Sequence, residues 1–219
     1  MHLEMPFLCS RKHKPAQGGS HTLARKTCLP MKKLIDYAAV LTGVAFRVGL
    51  THEPDGNALV VQMKDVSPGE PPRWGGMIRT TVRERATFLA PDDILLQMRG
   101  GKYFAVHLRE LPAPAVACQH FFILRCMPEI LPEFLTWQLN FGPCQQYFLQ
   151  NEAGSVQRSL RRADVENLPL VVPPLREQRL FADLAETCRR ENEVLRARLE
   201  LNQQMMDGLA FSLRTQFKG

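Results

Sequence analysis

The 219-residue sequence has no run of the ~18–20 uninterrupted apolar residues that a membrane-crossing helix needs, so no membrane span is expected. It also lacks the signatures of common catalytic chemistry. A phosphate-cradling loop needs GxxxxGK[ST] or GxGxxG between strand and helix, and neither Gly75-Gly76 nor Gly100-Gly101 fits. There is no GxSxG elbow and no HExxH pair. Cysteines stand at 9, 28, 118, 126, 144 and 188, and no two have the two-to-four-residue spacing of zinc fingers or ribbons. Cys118, His120 and Cys126 form the only loose cluster, which reads as buried thiols along an apolar strand. The opening MHLEMPFLCS lacks the basic start and apolar core of a secretory leader, so reduced thiols in a cytoplasmic protein are expected. No internal repeat is present.

Charge of one sign is also scarce where it would matter most. The net charge is +6, from 28 Lys and Arg against 22 Asp and Glu. Arg11, Lys12, Lys14, Arg25 and Lys26 oppose only Glu4 in residues 1–30. Two-thirds of the excess therefore lies in a segment without hydrophobic period, expected to be a disordered basic extension. The remaining chain is nearly neutral, which weakens the nucleic-acid reading that a basic protein ordinarily invites.

Hydrophobic patterning predicts an α+β fold over residues 31–174. MKKLIDYAAVLTG (31–43) suggests a short amphipathic turn or helix, and ALVVQMKDV (58–66) a strand. ATFLAPDDILLQMRGGKYFAVHLRE (86–110) reads as strand, turn, strand, Gly-Gly hairpin, strand, and VACQHFFILRC (116–126) as one central strand. LPEFLTWQLN (131–140) has helical spacing that Gly142-Pro143 interrupts, and a short strand at Leu168-Pro169-Leu170 precedes the prolines at 173–174.

From Leu175 the sequence holds no proline, and Gly208 is its only glycine before Gly219, so residues 175–219 read as one long helix. Ala185, Asn192, Leu199, Met206 and Leu213 fall at one heptad core position, and Phe181, Cys188, Leu195, Asn202 and Leu209 at the other. A coiled-coil dimer seam is predicted from Leu195, Leu199, Asn202, Met206, Leu209 and Leu213.

Pro91-Asp92-Asp93 has the look of an acidic nuclease motif, but the strand that follows lacks the acid-x-Lys such a site requires. Both aspartates are assigned to a turn, and His52, His107 and His120 gain no partner from spacing. No catalytic or metal-binding residue is predicted. What remains is a set of loop cations with neighbouring aromatics: Arg73, Trp74 and Arg79; Arg99, Lys102 and Tyr103; Arg158, Arg161 and Arg162. Guanidinium groups on turns suit phosphate oxygens and base edges, and these residues are the candidate DNA contacts.

The succession APDDILLQMRGGKYFAVHL, AVACQHFFILRC, LPEFLTWQLN and GSVQRSLRRADVENLPLVVPPLREQRLFADL resembles a type I restriction–modification specificity subunit. The most specific piece is Pro173-Pro174-Leu175-Arg176-Glu177-Gln178, the junction between recognition domain and long helix. The resemblance implies a mixed-sheet target recognition domain that reads a short double-stranded DNA sequence and performs no chemistry. It also implies a modification methyltransferase partner, which holds S-adenosylmethionine, and a restriction and motor subunit that joins them in defence against foreign DNA. No cofactor is expected on this chain. Such subunits carry two recognition domains and two antiparallel helices, whereas this sequence has one of each. Homodimerisation through the helix, or pairing with another half-subunit, would restore the arrangement and predict a bipartite, inverted-repeat target. A coiled-coil adaptor or decayed fragment that no longer reads DNA is the competing expectation.

Overall fold

The structure, a computed structural model, describes residues 31–46, 49–153 and 158–216. The basic extension expected at 1–30 lies outside these residues, as do Cys9, Cys28, Gly154 and Ser155. The described chain is α+β, as its patterning predicts, with nine short strands and four α-helices.

A four-stranded antiparallel sheet forms the centre, in the order β2 (Ala38–Thr42), β8 (Phe121–Cys126), β5 (Ile94–Gln97), β6 (Ala105–His107). Both its faces are buried. Ile94, Leu96, Phe122 and Leu124 point into a cluster shared with helices α1 (Pro132–Asn140), α2 (Gly142–Asn151) and α3 (Arg162–Glu166). Leu95, Phe121 and Ile123, at the alternate positions, point into a second cluster. That cluster is closed by a mixed sheet of β4 (Ile78–Thr80), β3 (Ala58–Val61) and β7 (Ala115–Ala117). Two-sided burial explains why the Phe121–Leu124 run is continuously apolar. A small ribbon of β1 (Lys32–Lys33) and β9 (Pro169–Leu170) ties the start of the domain to its end.

Several predicted elements are corrected. Residues 31–43 are not a helix beyond one 3-10 turn at Leu34–Asp36, where Asp36 accepts the Lys33 amide at 3.0 Å. Ala38–Thr42 is strand β2, because its alternate residues Ala38 and Val40 are buried and its full length pairs with β8. The strand expected at 58–66 stops at Val61, since Asp65 accepts the Gln62 amide at 2.8 Å and closes a 3-10 turn at Met63–Asp65. The 86–90 segment contributes one bridge, Phe88 to Val116, rather than a strand. The 116–126 run is two strands in two sheets. A turn at Cys118-Gln119-His120, closed by the Phe121 amide on the Cys118 carbonyl at 3.2 Å, carries the chain from β7 to β8.

Asp92 and Asp93 serve the turn assigned to them. Asp92 adopts φ 67° and contacts His107 at 2.9 Å, while Asp93 is 1% exposed. The Asp93 carboxylate accepts two bonds from the Arg125 guanidinium, both at 2.8 Å, and a third from the Ala90 amide. Those bonds commit it to structure.

Helix α4 (Leu175–Gln216) is 42 residues long and so rises about 63 Å. Its first turns pack on α1. Phe181 stacks on Trp137 with ring centroids 5.4 Å apart. Farther along, Glu186 receives Arg109 of the β6–β7 connection at 3.3 Å and Arg189 and Arg190 of its own helix. Bonds from Arg189, then Arg190, hold the Glu186 carboxyl down at about 2, against an ordinary 4.5. A depressed carboxyl stabilises the fold fully above its ordinary value and loses that contribution as pH falls towards 2. The urea midpoint is therefore expected to drop between pH 5 and pH 2.5 (a window set by that depression, roughly). Glu186→Gln should fall less steeply, and equal slopes for the two proteins would contradict this anchor.

From Arg190 to Arg214 every residue of α4 is exposed. Leu195, Leu199, Met206, Leu209 and Leu213 are 50–68% exposed, far above what apolar side chains show inside a domain. Asn192, at a predicted core position, donates to the Cys188 carbonyl of its own helix at 2.9 Å.

Candidate nucleic-acid interface

The Gly-Gly hairpin between β5 and β6 is the centre of the site. Gly100 and Gly101 take φ 90° and 70°, a conformation side chains rarely adopt. Gln97, 5% exposed, donates its amide to the carbonyls of Arg99 at 3.0 Å and Lys102 at 3.1 Å. This buried amide shapes the turn from below and leaves Arg99 and Lys102 exposed on top. Sequence reasoning passed over Gln97, and a polar residue ending an apolar strand just before Gly-Gly was its only signal.

The third cation cluster is laid against this hairpin. Ser159 bridges to Arg99, and the Leu160 amide donates to the Met98 carbonyl at 3.0 Å. Arg158 and Arg161 thereby sit on either side of the strip that lines the turn. The first cluster adjoins from the other side. The Arg73 amide donates to the Asp65 carbonyl at 2.8 Å, holding its loop against the Met63–Asp65 turn. That turn in turn abuts the hairpin, where a Cβ on Gly100 would lie 3.3 Å from the Met63 methyl. The loops that carry Arg73, Lys64, Arg99, Lys102, Arg158 and Arg161 thus adjoin one another along one rim.

Not every predicted residue belongs to it. Tyr103 is 4% exposed, packs edge-on against Phe148 and donates its hydroxyl to Glu152 at 3.0 Å. Burial, reinforced by Glu152, pushes its phenol up to about 12. Tyr103 is therefore a core residue that cannot meet a ligand at the surface. Trp74 is half-buried against the second apolar cluster. Arg79 lies in β4 opposite Leu59, with its guanidinium on the Gly56 carbonyl at 3.2 Å, away from the hairpin. Arg73 pairs with Glu70 at 3.3 Å, Arg158 with Glu152 at 3.0 Å and Arg162 with Glu166 at 2.6 Å. Arg99, Lys102 and Arg161 enter no ion pair among the described residues, so their charge is fully available to a ligand. Lys64, exposed on the Met63–Asp65 turn, joins the rim unpredicted.

Charge on turns, sheets beneath them and a long helix exposed from Arg190 onward define an α+β domain with a long C-terminal helix. No protein-family model and no curated protein matches the chain. Several solved structures share its fold, three of them as follows. The type I restriction–modification S subunit from M. genitalium superposes with a TM-score of 0.54 at 16% identity, over 90% of this chain and 49% of that one. A chain from a structure of complex assembly and conformational transition in the type I R-M system gives 0.62 at 16% identity, over 86% and 45%. The HsdS subunit from Thermoanaerobacter tengcongensis gives 0.56 at 14% identity, over 81% and 41%. The chain has the fold of a type I S subunit and spans less than half the length of these three.

Proposed function

We propose that the chain is a sequence-reading module of a type I restriction–modification system, non-catalytic itself. It would direct a methyltransferase subunit, which would hold S-adenosylmethionine, and a restriction and motor subunit to double-stranded DNA. The observation that carries this reading is the convergence of separate loop cations on one rim of a domain with the S-subunit fold. Phosphates bind such a rim through released counterions, and side chains within it reach base edges. Since residues 31–219 are nearly neutral, the partner's surface supplies part of the phosphate contact. The exposed α4 pairs with a second copy to give two recognition domains related by a two-fold axis.

The test is salt-dependent duplex binding by the chain with its methyltransferase partner. Replacing Arg99, Lys102 and Arg161 together by alanine is expected to lower the slope of log affinity against log salt by about 2–3, at ~0.9 per lost phosphate contact. An unchanged slope would favour an adaptor that keeps the fold and reads no DNA.

A further inference from the structure

Helix α4 is held to the domain at two places. At its start Gln178 is fully buried and bonded to the Leu131 amide and the Glu129 and Pro173 carbonyls, and Phe181 stacks on Trp137 of α1. The second place is Glu186, eight residues on and therefore about 12 Å farther along the axis. There the domain makes a single bond, from Arg109 of the β6–β7 connection at 3.3 Å. Between 175 and 214 only Gln178, Ala182, Ala185, Glu186 and Arg189 are not exposed. They fall on one face at helical spacing, so the domain's footprint on the helix ends at this clamp.

The two attachments differ in kind. The first combines a buried, fully bonded amide with an aromatic stack and fastens the helix to the domain. The second has its Arg109 side chain 59% exposed, and an ion pair so open to water adds little to stability. Its carboxylate is nevertheless carefully held. Arg189 grips both Glu186 oxygens, at 2.7 and 2.9 Å, and Arg190 adds a bond at 3.0 Å. The Arg189 guanidinium is tied in turn to Glu193. The acceptor offered to Arg109 is thus fixed on its own helix, which makes the pair a defined point of contact. Glu186 also lies ~80° around the helix from Gln178, at roughly 100° per residue. A contact there opposes both tilt and roll about the first attachment, which by itself would leave a pivot.

We infer that the Arg109–Glu186 pair is a positioning contact that sets the angle of the domain on its helix, and with it the distance between the two half-sites that a paired molecule reads. The inference deepens the DNA-reading role and rests on it and on pairing through α4. The scale of the lever suits this task. A domain of this size has a radius of gyration of about 15 Å. One ångström of play at the clamp is a tilt of roughly 5° over the ~12 Å arm, which moves the far side of the domain by about 2 Å. Two domains together then shift by about one base-pair rise, ~3.4 Å. Helix length fixes the spacing coarsely, and the clamp fixes it to the base pair.

The test uses the full chain with its methyltransferase partner and the duplex that the unaltered protein selects from a random pool. That duplex is remade with its spacer one base pair longer and one base pair shorter. The unaltered protein is expected to prefer its selected spacer over either neighbour by about tenfold or more, the scale of one mismatched base pair. Arg109→Ala leaves the Glu186 carboxylate held by its own helix, and it should shrink that preference to about threefold or less while the half-site sequences stay the same. Arg109→Lys, which keeps the charge, should restore part of the preference. Glu186→Gln should relax it from the other side of the pair and provides the second variant should Arg109→Ala not fold. A purely structural role would weaken all three spacers alike, and that result, or an unchanged preference in both variants, would overturn the positioning role. So would an unaltered protein that binds the three spacers equally. Selection of no sequence at all would instead remove the DNA-reading role on which the inference rests.

Discussion

Gln178→Leu is expected to destabilise the domain by about 3 kcal/mol, because it leaves buried backbone groups without partners. Gln178 is fully buried although it sits in the first turn of a helix. Its oxygen accepts the Leu131 amide at 2.8 Å, and its nitrogen donates to the carbonyls of Glu129 at 2.9 Å and Pro173 at 2.8 Å. One side chain thereby joins the loop before α1 to the start of α4. No apolar residue can replace those bonds, and glutamate would set a charge against two carbonyl oxygens. Denaturant unfolding of the variant measures the loss, and a change under ~0.5 kcal/mol, the usual range for an inconsequential surface change, would contradict it. The same geometry explains the Pro-Pro-Leu-Arg-Glu-Gln junction. The Pro174 carbonyl accepts the amides of Glu177 and Gln178 and starts the helix, and Gln178 then fastens that start to the domain.

Charging the exposed seam is expected to have the second large effect. Leu199→Glu, Met206→Glu and Leu209→Glu in one chain should convert a dimer to a monomer of half the mass, measured by light scattering. These side chains are 54–68% exposed and lie beyond the part of α4 that packs on the domain. Their substitution therefore leaves the domain's own core intact, and circular dichroism should show its fold retained. Each apolar side chain withdrawn from water at a pairing surface contributes roughly 1.5–3 kcal/mol, and a charge in its place reverses the sign. An unchanged mass for the triple variant would refute pairing through α4.

The long helix and the junction are legible in the sequence because their signals are local: absent proline, heptad spacing, and prolines before the first turn. The hairpin at Gly100-Gly101 is legible for the same reason. What escaped depends on contacts across the chain. Gln178 reaches residues 47 and 49 positions away, and Tyr103 is drawn inward by Glu152, 49 positions on. Neither separation leaves a mark on periodicity. The 116–126 run reads as one strand because both of its halves are apolar, and only the two sheets to which they belong reveal the turn between them. Arg79 and Arg99 look equivalent as sequence, yet one guanidinium is held by a backbone carbonyl and the other stands free on a turn.

The most direct measurement of the central claim is selection from a random-sequence duplex pool by the chain together with its methyltransferase partner. The account predicts enrichment of a bipartite inverted repeat. Its half-sites should lie one to two duplex turns apart, at ~34 Å per turn, as antiparallel helices of about 63 Å would set them. A pool that emerges with no enriched sequence would contradict it.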